Sequence, residues 1–191
     1  PMDAHSLQVL EFDKICRFLA GFAGSDGGRR LCVSLWPAAD PGAVHELLSE
    51  TTEMRCETEE HGPLPLSGIH DIRPEIKRAR VRNAYLEQER LNKIRETLET
   101  AHMLYKYLQG REESCPRLHN LTAGIIQLPQ VTEEIRRSIS SQGEILDSAS
   151  PELSDIRSRL KKIRRRILAS LEQHLQNTDI DYAIQDDFIT L

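Results

Sequence analysis

Aromatic residues make up only 5% of the 191 residues, with one tryptophan, four tyrosines and four phenylalanines. Alternating β-branched and polar residues are also scarce, which argues against a sheet-based core. Cys16, Cys32, Cys56 and Cys115 form no C-x-x-C pair and lack a disulfide-dense spacing. They read as reduced thiols, mostly buried as small hydrophobes. No secretory leader pattern and no apolar run long enough to cross a bilayer is found, so a cytoplasmic chain without a membrane partner is expected. A Walker A loop, a nucleophile elbow and H-E-x-x-H are all missing, and no histidine is paired by motif with a cysteine or serine. No catalytic residue and no bound cofactor are therefore expected within these residues.

Metal and phosphate sites fare little better. Cys56, His61 and His70 fit no zinc spacing. Asp179, Asp181, Asp186 and Asp187 lack the loop glycine and ligand order of an EF-hand, and read as a solvated acidic segment. No metal site is expected. Gly21, Gly24, Gly27 and Gly28 follow a helical segment and precede Arg29-Arg30, unlike a phosphate loop, which follows a strand and ends in Lys-Ser/Thr.

What the chain does have is aliphatic periodicity. The hydrophobic fraction is 39%, and its spacing predicts an all-α fold. One helix is expected over 6–23, with Leu7, Leu10, Ile15, Leu19 and Phe22 inward, then a short one to Leu35 with Trp36 as a core anchor. Asp40-Pro41 marks a cap and first helical position for a helix through Val44, Leu47, Leu48, Thr51 and Met54, stopped by Gly62-Pro63. A short helix from Pro74 with Ile76, Ala79 and Val81 follows. A long one over 86–108 places Leu91, Ile94, Leu98 and Ala101 inward. Leu118, Leu121 and Ile125 mark another helix, and Val131, Ile135 and Ile139 the next. Residues 144–147 form a minor extended piece. Beyond Asn177, a helical segment through Tyr182 to Gln185 and a strand-like end at Phe188 are expected.

The chain is organised around one long protruding helix from Ser150 to about Leu175. Ser150 suits the N-cap, Pro151 the first helical position, and Glu152 and Asp155 the positive end of the dipole. Leu153, Ile156, Leu160, Ile163 and Ile167 keep a 3-4 spacing, the seam of a helix packed along its length, before a four-residue step to Leu171 and Leu175. The rod would be roughly 38 Å long.

Around that seam lie Arg157, Arg159, Lys161, Lys162, Arg164, Arg165 and Arg166, with no acid among them. Only Asp155 stands four residues before a basic partner, Arg159. Residues 153–175 hold seven basic and two acidic residues, a net +5. The rest of the chain holds 18 basic and 28 acidic, a net −10. The arginines and lysines form either a solvated helix face or a contact surface for a polyanion, foremost nucleic acid. The apolar seam admits a further reading, a dimerisation or protein-interaction helix.

Three stretches together resemble one family. Leu10-Glu11-Phe12-Asp13-Lys14-Ile15 is similar to the opening of the bacterial MutS-II proteins, relatives of the MutS mismatch-repair ATPases. Leu64-Pro65-Leu66-Ser67-Gly68-Ile69-His70-Asp71-Ile72-Arg73-Pro74 with Lys77-Arg78-Ala79 is similar to a second family stretch. Gly143-Glu144-Ile145-Leu146-Asp147-Ser148-Ala149-Ser150-Pro151-Glu152-Leu153 with Ile156-Arg157 is a third. Ile189-Thr190-Leu191 looks like the strand that opens the family's clamp.

The resemblance implies a helical core over 1–148, a lever helix over 149–178, and the start of a truncated clamp over 179–191. It also implies a longer parent, a dimeric ATPase using ATP and Mg with an endonuclease domain. Such parents act on branched DNA in the control of recombination, or on ribosomal RNA in the rescue of collided ribosomes. None of the family's ATPase or nuclease motifs falls in these residues. The chain departs from the family at Tyr85-Leu86-Glu87-Gln88, where a Ser-Pro helix start is usual, and at Lys161 to Arg166, where acids usually intervene.

Overall fold

The computed structural model describes residues 4–175. Its helices are α1 (Ala4–Val9), α2 (Phe12–Ala20), α3 (Asp26–Val33), α4 (Pro41–His61), α5 (Arg73–Ala79), α6 (Gln88–Gln109), α7 (Pro116–Leu121), α8 (Pro129–Ser138) and α9 (Pro151–Leu175). Short 3-10 turns occupy Thr122–Gly124 and Asp147–Ala149. The fold is all-α. The extended element among the described residues is one antiparallel bridge between Ile139 and Ile145. The expected features beyond Asn177, including Asp179, Asp181, Asp186, Asp187 and Phe188, lie outside the described residues.

Local chemistry sets the helix starts. Asp40 accepts a hydrogen bond from the Ala43 amide at 2.8 Å, with Pro41 next to it, and α4 ends at Gly62, whose φ of 86° suits glycine. Ser25 Oγ caps α3 by accepting from Gly28 N at 3.1 Å. At α6 the cap position falls on Glu87, whose side chain makes no capping bond, as the missing Ser-Pro start implies.

The chain divides into two compact units, the first ending at Arg136 and the second beginning at Arg137. In the first unit the core gathers Leu108, Cys115 and Leu118, with Met54 and Tyr107 against them. The loop before α5 lies on α6: the His70 amide donates to Thr97 Oγ1 at 3.1 Å, and His70 Nε2 meets Glu96 Oε2 at 2.7 Å. Gly68 approaches Thr100 so closely that a Cβ there would overlap its hydroxyl.

Several expectations about the first unit change. The helix expected over 6–23 is two helices, because Glu11 turns into the left-handed region at φ 52° and breaks the register. Leu7 is buried, but Leu10, Ile15 and Phe22 are exposed, the last packing edge-to-face on Phe18 at 5.1 Å. Trp36 is 66% exposed and borders an open groove with Leu7, Phe12 and Cys16, so it anchors no core. Leu47 and Leu48 of α4 are exposed because that helix packs through its later turns, at Glu53, Met54 and Glu57. Ile76 and Val81 are exposed as well, since α5 turns Glu75 inward instead. In α6 the expected line is half-buried, and Asn92, Thr100, Leu104 and Leu108 are the buried positions.

The second unit opens with a tight reversal. Ser140 N donates to Glu144 O at 2.9 Å, Leu146 N to Ser138 O at 2.9 Å, and Gly143 takes φ 85° at the turn. The Asp147–Ala149 turn then delivers the chain to α9. Ser150 Oγ accepts from Leu153 N at 3.1 Å, beside Pro151 at the helix start.

Candidate nucleic-acid interface

α9 carries all seven cations on one continuous helix, but it does not leave them equally free. Arg157 folds back to the preceding turn, where Nη1 donates to Ile145 O at 2.8 Å and to Asp147 Oδ1 at 2.6 Å. Lys161 Nζ stands 3.7 Å from Asp147 Oδ2. Arg159 pairs with Asp155 at 2.6 Å, the contact its four-residue spacing implies. Arg164 is also engaged. Arg165 reaches only the backbone, donating from Nε to Lys161 O at 3.3 Å. Among the described residues, Lys162 and Arg166 have no partner, and both are exposed.

Asp147 is the residue that sequence reasoning missed here. Its hydrogen bond from Arg157, with the Lys161 charge nearby, holds its carboxyl below the usual range. Counting partners within the helix could not find it, because it precedes α9 by one turn of chain. Its place directly before the Ser150-Pro151 start was the available signal. The free positive surface is therefore narrower than seven residues, and centres on Lys162, Arg165 and Arg166.

The opposite feature of α9 is apolar. Ile156, Leu160, Ile163, Ile167 and Leu171 are between 40% and 59% exposed. Leu160, Ile163 and Ile167 line a shallow groove edged by Lys161 and Arg164. The 3-4 spacing read as a packing seam is thus open along the helix.

The other concentration of charge is structural. Glu57 of α4, 3% exposed, accepts hydrogen bonds from Arg111 Nε at 2.7 Å, from the Tyr107 hydroxyl, and from Cys115 Sγ at 3.5 Å, with His61 Nδ1 at 3.2 Å. The Arg111 guanidinium stacks 3.7 Å above the Tyr107 ring. Burial alone would raise the Glu57 pKa, but the bonds from Tyr107, Cys115 and Arg111 outweigh it and lower it. Burial pushes the Cys115 thiol up, the reverse of what a nucleophile needs. Next to it, Glu53 Oε2 accepts from the Arg117 and Leu118 amides at 2.9 and 3.1 Å, so α4 supplies the cap that α7 lacks in its own sequence. These groups pin helices together.

Among the described residues no cluster of three histidines, cysteines or acids is arranged for a metal ion. None of the described helices is long and apolar enough to cross a membrane.

These features define a class: an all-helical segment carrying a long helix with one apolar and one basic face. No family model matches the chain. It aligns over its whole length with proteins named Endonuclease MutS2. The identity is 32% over 190 residues for that of Symbiobacterium thermophilum and 32% over 193 residues for that of Clostridioides difficile. It is 29% over 190 residues for that of Pelotomaculum thermopropionicum. In each case the match covers 100% of this chain and 24% of the relative, so the chain spans about a quarter of the length of the curated relatives it matches. The chain is thus similar along its full length to a part of these MutS2 proteins, which is consistent with the N-terminal region of the MutS-II family.

Proposed function

We propose that this chain is the scaffold and lever of a longer MutS-II protein, coupling an ATPase elsewhere in that protein to a nucleic-acid clamp. Residues 1–148 serve as the scaffold, 149–178 as the lever, and 179–191 as the approach to the clamp. The observation that carries this reading is the open apolar seam of α9, from Ile156 to Leu171. A stiff helix anchored at its base by Arg157 and Asp147, with an unfilled packing line along its length, suits a rod that another part of the protein lies against and moves. The relatives' name supports an endonuclease parent, and the family an ATP- and Mg-using one acting on branched DNA.

A second reading has its own support. Lys162, Arg165 and Arg166 form no ion pair among the described residues, so α9 can touch phosphate directly, on DNA or on ribosomal RNA. A third, pairing of the seam with a second copy, is the dimer reading.

The seam can be tested by the double substitution L160D/I167D. Both side chains are already exposed, so the melting temperature of this chain alone should hold. The full-length protein should become more sensitive to protease within α9. Equal protease resistance of the substituted and unsubstituted full-length proteins would remove the lever's packing partner, and with it the reading.

A further inference from the structure

The strongest unassigned concentration of free positive charge lies in the first unit, not on α9. Arg73, Lys77, Arg78, Arg80 and Arg82 fall within ten residues, on α5 and the turn after it. The one acid among them, Glu75, is 5% exposed and turns inward to Arg90 at 3.3 Å, so it does not offset the surface. Arg73 is bound by Asp71, which also meets Arg30 of α3 at 3.0 Å. Lys77, Arg78, Arg80 and Arg82 are exposed and have no ion pair among the described residues. Offsetting the helix dipole would account for Lys77 and Arg78 in the last turn of α5. It does not account for Arg80 and Arg82 beyond that turn.

An aromatic platform adjoins the cations. The chain reverses through Val81 to Ala84, closed by the Ala84 N to Val81 O bond at 3.1 Å, with Asn83 at φ 61°. Tyr85 follows directly. It is 73% exposed and makes no hydrogen bond or ring contact among the described residues. Cations that track a phosphate backbone beside an exposed aromatic ring are the arrangement that holds unpaired bases. We infer that the α5 turn, through Lys77, Arg78, Arg80, Arg82 and Tyr85, is a separate contact surface for single-stranded nucleic acid.

The surface shares no residue with α9, so its test also separates the two. Binding of the 191-residue chain to a fluorescent oligothymidylate and to a duplex of equal length would be followed by anisotropy across a salt series. With about four phosphates engaged at roughly 0.7 each, the variant K77E/R78E/R80E/R82E should flatten the single-strand log–log slope by about 2.8. Y85A should weaken single-strand binding by roughly tenfold, on the scale of one lost stacked base, and leave duplex binding nearly unchanged. The α9 variant K162E/R165E/R166E should keep the single-strand slope, and its own losses bear only on the α9 phosphate reading. Circular dichroism and melting confirm folding, and the glutamine series at the same four positions replaces the glutamates if the reversal unfolds the chain. A folded α5 variant that keeps the parent's affinity and slope would overturn the inference. So would a parent that binds no single strand at low salt, or a Y85A variant that loses both substrates equally.

Discussion

A single buried carboxylate joins three parts of the first unit, since Glu57 of α4 takes bonds from Tyr107 of α6 and from Arg111 and Cys115 just beyond it. A carboxamide in its place presents one acceptor oxygen to three donors and leaves Arg111 without its counter-charge. E57Q should therefore cost about 2–3 kcal/mol in urea unfolding followed by circular dichroism. Its pH dependence has a definite sign. Glu57 is lowered from 4.5 in the folded chain, so its contribution is present above about that value and lost as pH falls through the folded pKa. The gap between wild type and E57Q should close on acidification below pH 4.5. Asp71 behaves the same way, held at about 2 from 3.8 mainly by its hydrogen bond from Arg73, so acid loss should extend toward pH 2. At Gly68 the constraint is space. A methyl there would overlap Thr100 Oγ1 and meet the Glu96 carbonyl at 3.5 Å, so G68A should cost about 1–3 kcal/mol, with T100A recovering part of it.

α9 depends on its first turn and on the acid just before it. S150A removes the bond to Leu153 N and should cost about 1 kcal/mol. D147N weakens the tie to Arg157 and Lys161, so hydrogen exchange should rise in the first turns of α9 while α6 stays protected. Unchanged exchange would mean the helix base is held by packing alone. The elements most legible in sequence are those whose ends carry chemistry: Ser150-Pro151 and Asp40-Pro41 place α9 and α4 correctly. The break at Glu11 was not legible, because a left-handed glutamate carries none of the marks of a glycine or asparagine there. The buried network was only half hidden. Glu57 lies three residues beyond Met54, on the continuation of the apolar line of α4, and an acid at a seam position calls for a partner. Its partners lie 50 to 58 residues away, and no local pattern names them. The same blindness applies to the basic residues of α9, whose availability is set by Asp147 outside the helix, and to the α5 turn, where burial of Glu75 unmasks the charge.

Across the whole molecule, the net −5 conceals a basic α9 set against an acidic remainder. Nucleic acid would be repelled from most of the surface and admitted at a few places, which suits a part that positions a strand without reading its sequence. In the proposed lever reading, the apolar seam takes a further helix, the basic face takes a polyanion, and α9 carries movement between them. The most direct test breaks the rod without touching either face. Seven glycines inserted after Ile163 in the full-length protein, about two helical turns that leave both faces nearly in register, cost helix stability of about 1 kcal/mol each and interrupt mechanical continuity. The lever reading predicts that ATP is still hydrolysed but no longer changes nucleic-acid affinity, measured by anisotropy with and without ATP and Mg. An ATP-dependent change in affinity as large as in the uninterrupted protein would contradict it.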